Sequence, residues 1–205
     1  KMILKILLKN KIFRSKLSKK VRNFFNIKPS FDLVDYTSKN ISVSDAFIWR
    51  TDNGFKTIFK FTNIIKHFYG EEEQNLRIIF FDSNNNLIKE KYINGIETGE
   101  LLIDQNFLNN IKGYGVFYVF HNSNSYLNGI IRNSCYTGYS LNDSLPSFVH
   151  GNTIAAEQNL NNLKINYGLG GISFYKKNIY TVQNYFNFDK TEIMLVNPTD
   201  KGINI

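Results

Sequence analysis

Leu76-Arg-Ile-Ile-Phe-Phe81, Asp82-Ser-Asn-Asn-Asn86 and Leu87-Ile-Lys-Glu-Lys-Tyr-Ile93 follow one another without interruption. The first run is apolar on both faces, as a strand covered from two sides must be. The middle run is built of residues that hydrogen-bond their own backbone and tolerate tight turns. The third resumes a strand-like pattern with a charged centre. Two such runs joined by turn residues predict a β-hairpin.

Working outward, the same vocabulary recurs. Thr57-Ile-Phe-Lys-Phe-Thr62 alternates in the manner of a half-buried strand, and Gly115-Val-Phe-Tyr-Val-Phe120 is a further strong strand. Gly129-Ile-Ile-Arg132 is its expected partner across a turn at Ser123–Asn128. Ile172–Tyr175, Ile179–Val182 and Glu192–Val196 supply three more strand-like runs. One short helix is expected around Leu101–Ile111. Strands broken every ten or so residues by Asn, Gly and Ser predict a mainly β chain, an antiparallel β-sandwich or a barrel-like domain. No alternation of strand with long helix points to a doubly wound α/β fold. Lys56–Asn63 and Lys190–Asn197 echo one another as Lys-Thr strands ending at Asn. Two related halves would leave such an echo, and so would biased composition.

Charge divides the chain. Of 25 Lys and Arg residues, ten lie between Lys1 and Lys28, where no Asp or Glu occurs. The rest carries 15 basic against 17 acidic residues, so the net charge of +8 belongs to the arm. Ile3, Leu4, Leu7, Leu8, Ile12, Leu17, Val21, Phe24 and Phe25 recur there at helical spacing with lysines between them. Lys28-Pro29 ends the pattern, because the residue before proline resists helical backbone. The expected organisation is a basic amphipathic helical arm over residues 1–30 and a single β-rich domain over 31–205. Such an arm suits an anionic membrane surface or an acidic protein partner. Packing of its stripe on the body is the plainer alternative. Nucleic acid is disfavoured, since the folded part lacks a basic surface with stacking aromatics among it.

The aromatic content of 15% favours sheet, although the abundance of Asn, Ile, Lys, Phe and Tyr is also what an AT-rich genome imposes. The single cysteine, Cys135, excludes an internal disulfide framework and a Cys-paired zinc site. No run reaches the length of a membrane-spanning helix. Lys5 and Lys9 interrupt what would be a signal-peptide core. The expected location is cytoplasmic, peripheral at the membrane if the arm docks there.

Three groups of residues invite a chemical reading. Phe120-His121-Asn122 and Phe148-Val-His150-Gly-Asn152 repeat an order of aromatic, His and nearby Asn, with Arg132, Cys135 and Tyr139 between them. If their strands were neighbours, His121, His150, Arg132 and Cys135 could form a catalytic site, Cys with His being suited to nucleophilic chemistry. Histidines bonded to local backbone are the plainer alternative. Asp45, Arg50 and Asp52 flank the only tryptophan, Trp49, with acids and an Arg, the furniture of many sugar sites, and Tyr139 and Asn152 join them as candidate ligand contacts. A tryptophan plugging the core is the competing explanation. Gly168-Leu-Gly-Gly171 precedes a strand-like run rather than a helix, which removes the phosphate-loop reading. No metal or cofactor is expected. The favoured expectation is a non-catalytic β-sandwich module recognising a polar ligand, such as a glycan, or a protein partner. The alternative is a small sandwich or barrel enzyme using His121 and His150.

Overall fold

The computed structural model describes residues 41–63, 66, 70, 75–94, 97–122, 135–151, 154–168, 192–194 and 196, with Leu17, Lys20, Val21 and Phe24 of the arm. The chain separates into two compact units, Lys1–Ser30 and Phe31–Ile205. The four described arm residues have helical backbone. Four residues do not define an element, and the rest of the arm lies outside the described residues.

The second unit is mainly β. Eleven strands are described: β1 Ile41–Asp45, β2 Phe47–Arg50, β3 Phe55–Thr62, β4 Asn75–Asp82, β5 Leu87–Ile93, β6 Thr98–Ile103, β7 Tyr114–Asn122, β8 Tyr136–Leu141, β9 Ser147–His150, β10 Ile154–Asn159 and β11 Ile165–Tyr167. Among the described residues they form three antiparallel sheets. A middle sheet has the order β2-β7-β4-β5, an outer sheet β6-β3-β8-β9, and a back sheet β1-β10-β11. Among the described residues no helix is long and apolar enough to cross a membrane.

The inner strands β7 and β4 of the middle sheet are apolar on both faces because both are covered. Toward the outer sheet, Phe47, Trp49, Ile78, Phe80, Phe117 and Val119 meet Phe59, Phe61 and Ile103 in the main core. Phe117 is its centre, with ring centroids 5.3 Å from Phe47, 5.2 Å from Phe59 and 5.2 Å from Phe80. Toward the back sheet, Ile79, Tyr118 and Phe120 pack on Ala155 and Ala156, whose small side chains let the layers approach. The expected hairpin is β4–β5. Asp82 accepts from the amides of Asn84 and Asn86, and Asn85 takes the left-handed backbone (φ 64°) that Asn tolerates.

Where the chain passes between sheets, hydroxyls replace ladder bonds. β1 and β2 are consecutive, yet β2 pairs with β7 and β1 leaves to pair with β10 at an irregularity beside Ser44. The β7 amides that β1 no longer serves, those of Val119 and His121, donate to Ser44 Oγ (2.7 Å) and Ser42 Oγ (2.9 Å). At the next crossing, Asn53-Gly54 (φ 49° and 81°) turns the chain from the middle to the outer sheet. There Thr57 Oγ accepts from the Arg50 amide and donates to the Arg50 carbonyl.

Three expectations are corrected or fall outside this description. The helix at Leu101–Ile111 does not form. Leu101, Leu102 and Ile103 continue β6 against β3, and the following turn ends at Asn109 and Asn110, both left-handed. Glu192, Ile193, Met194 and Val196 are in no strand, so the strand expected at Glu192–Val196 is not seen at these described residues, and the rest of the second echo lies outside them. The runs Gly129–Arg132, Ile172–Tyr175 and Ile179–Val182 lie outside the described residues.

Candidate functional site

The outer sheet has two unlike faces. Alternation along β3 sends Thr57, Phe59 and Phe61 inward and leaves Lys56, Ile58, Lys60 and Thr62 on the other side. The register then aligns two rows across all four strands. Ile58 lies opposite Leu102 of β6 and Gly138 of β8, and Gly138 lies opposite Phe148 of β9. One step along, Lys60 lies opposite Glu100 and Tyr136, and Tyr136 lies opposite His150. The first row reads Leu102, Ile58, Gly138, Phe148 and is apolar. The second reads Glu100, Lys60, Tyr136, His150 and is polar and aromatic.

The side chains of these rows hold one another. Phe148 lies across Gly138, where an added Cβ would come within 2.5 Å of its ring, so glycine is what lets the aromatic lie flat. Lys60 Nζ stands 4.8 Å from the centre of the Phe148 ring and 3.3 Å from Glu100. The rings of Tyr136 and His150 are 4.5 Å apart and inclined at 44°. Tyr136, on the inner strand β8, is 42% exposed, and Leu102, on the edge strand β6, is 45% exposed. Beside the rows, Lys56 pairs with Asp143 at 2.6 Å, a contact that holds its ammonium above the usual lysine range.

The residues singled out from sequence are distributed differently. His121 shares the inward face of β7 with Phe117 and Val119 and is 3% exposed. His150 is exposed on the outward face of β9 beside Tyr136. One histidine is thus buried in the middle sheet and the other exposed on the outer sheet, so the two do not share a face. Cys135 is buried within the main core. Arg132 and Asn152 lie outside the described residues. Tyr139 faces inward, its hydroxyl donating to the Ile48 carbonyl at 2.9 Å, and burial pushes its pKa up to about 12.

Trp49 is fully buried, lies against Gly115 and donates from its indole nitrogen to the Phe81 carbonyl at 2.8 Å. It is a core residue and presents no face to a sugar. Arg50 does hold Asp52 (2.6 Å) and also Glu192 (2.5 Å), and its guanidinium stacks 3.9 Å from the centre of the Phe55 ring. Burial opposes its charge, but the two carboxylates outweigh that and raise its pKa. A guanidinium held by two acids and a ring ties strand to loop. Among the described residues no three His, Cys, Asp or Glu side chains converge as metal ligands would.

The two rows are half legible in the sequence. Tyr136, Phe148 and His150 stand in segments that carry candidate chemistry, whereas Lys60, Glu100, Ile58 and Leu102 stand in runs that read only as secondary structure. The signal available was the alternation of β3, whose outward positions carry Ile58 between two lysines. No protein family, curated protein or solved structure matches this chain.

Proposed function

We propose that the protein is a non-catalytic binding module whose recognition surface is the outward face of the outer sheet. The observation that carries this reading is the pair of aligned rows, an apolar one ending in Phe148 beside a polar one containing Tyr136, Lys60 and His150. Sheet faces turned to water ordinarily carry polar side chains. Here Leu102, Ile58, Tyr136 and Phe148 interrupt that rule together, and contiguous exposed apolar surface marks interaction sites. A glycan suits such a face. The C–H side of a pyranose packs on aromatic rings while its hydroxyls reach the ammonium, carboxylate, phenol and imidazole alongside. The exposure of Tyr136 and Leu102 supports binding over turnover, because a reacting bond is ordinarily shielded from water.

The test is isothermal titration of the full chain against soluble oligosaccharides, beside Tyr136→Ala. Saturable binding that Tyr136→Ala weakens, with its melting temperature kept, supports the reading. Binding equal in both proteins places the site elsewhere.

The arm completes the proposal as a docking element. Ten cations on one short segment give a strong attraction to an anionic membrane surface or an acidic partner that the near-neutral remainder cannot supply. Sedimentation with anionic vesicles should therefore fall as salt shortens the Debye length from about 10 Å at 0.1 M to about 3 Å at 1 M. Salt-independent sedimentation would remove charge from the account of docking.

A further inference from the structure

The rows also constrain what kind of glycan fits. They run across the strands, and three inter-strand spacings of about 4.8 Å give each a length of about 14 Å. That is longer than one sugar ring. A single pyranose could touch Phe148 or Leu102 but not both, because Ile58 and Gly138 lie between them. Among the described residues, both lysines of the face are already paired, Lys60 with Glu100 and Lys56 with Asp143. An anionic ligand would have to displace those carboxylates and lie among them. A neutral ligand leaves both pairs in place and takes hydrogen bonds from their remaining donors and acceptors.

We infer that the ligand is a neutral, extended oligosaccharide of about three units lying across the four strands, with its C–H faces along Leu102, Ile58 and Phe148. Its hydroxyl edge runs along Glu100, Lys60, Tyr136 and His150. This rests on the platform reading above and adds charge class, length and direction to it.

A ladder of neutral linear β-1,4-linked oligosaccharides in gluco, xylo and manno configuration tests it, beside an oligogalacturonate ladder, by titration of the full chain at low and high salt. Affinity for at least one neutral ladder should rise with each unit up to about the third and then level off, with little dependence on salt. Phe148→Ala should lower affinity about tenfold at every length. Leu102→Ala, at the far end of the row, should remove only the gain from the last unit. This second variant keeps the test open if Phe148→Ala disturbs β9. Salt-sensitive binding of the oligogalacturonates alone overturns the neutral-ligand inference but leaves the platform standing. Neutral affinity that does not grow with length overturns the placement across the strands. Binding of no glycan, with capture of a folded protein partner abolished by Phe148→Ala, overturns the glycan and keeps the platform as a protein-binding surface. Binding of nothing by this face overturns both.

Discussion

The two faces of the outer sheet come from the same strands and are shaped by different demands. Facing inward, Phe59 meets Phe47 and Phe117 ring to ring, and both Phe59 and Thr57 are fully buried. Facing outward one residue away, Lys60 reaches Glu100 and the ring of Phe148, and Tyr136 lies against His150 with 42% of its surface exposed. Inward identity is dictated by packing, because a change of one methylene is felt in an interior packed like a crystal. Outward identity is less tightly constrained where side chains such as Lys60 and Tyr136 are exposed. On the proposed reading, the apolar and aromatic row on that side serves a ligand.

The comparison breaks most easily at its inner half. Phe117→Ala should be the most damaging single change, because that ring contacts three others at the centre of the main core. A loss of about 3–5 kcal/mol is expected in chemical denaturation. A loss under about 1 kcal/mol would mean that the layers are not held by this cluster.

The seams come next. Ser42→Ala and Ser44→Ala each strand a buried amide of β7, that of His121 or of Val119, where β1 has left the middle sheet. Each should cost about 1–3 kcal/mol, the penalty for a buried donor left unmade. Hydrogen exchange at those two amides gives the sharper readout, faster in the variant than in the parent. Unchanged exchange would show that β1 itself, and not its hydroxyls, protects them.

Buried tyrosines separate interior from surface by pH. Burial pushes both Tyr118 and Tyr139 up to about 12, whereas an unfolded tyrosine titrates near 10. The folded state thus keeps protons that the unfolded state has released. The stabilisation they give is complete below pH 10 and disappears as pH climbs through 12. The loss is on the order of 2 kcal/mol for each ring. Thermal melts across that range should fall steeply, and Tyr139→Phe should flatten part of the fall. A flat profile from pH 10 to 12 would mean that water reaches both hydroxyls.

What could be read beforehand follows from which residues announce themselves. β3, β4, β5 and β7 are legible because Ile, Val, Phe and Tyr fill them with the strand period. β10 is not, since Ile-Ala-Ala-Glu-Gln-Asn carries little strand preference and is held by the close approach that Ala155 and Ala156 permit. β8 was hidden by Gly138, which reads as a breaker until the ring of Phe148 is seen lying over it. β1 was obscured by serines that look like loop residues and serve instead as substitute acceptors. The expected helix at Leu101–Ile111 shows the opposite error. Leu101, Leu108 and Ile111 have helical spacing, but that spacing arises from a strand followed by a turn. As for the site, sequence places chemistry-bearing residues in segments but not on faces. His121 and His150 look equivalent along the chain and lie on different sheets in the fold. Trp49 looks like a sugar platform and is instead a fully buried ring of the core.

The most direct test of the central claim takes one residue from each face of the same sheet. Phe59→Ala and Tyr136→Ala should be compared for melting temperature and for binding of the neutral oligosaccharide ladder per folded molecule. Phe59→Ala should melt well below the parent, with a loss of about 3 kcal/mol or more, yet bind normally while folded. Tyr136→Ala should melt with the parent and bind weakly. If Tyr136→Ala instead loses stability as Phe59→Ala does and binds like the parent, the outward row belongs to the fold, and the division of labour between the two faces is wrong.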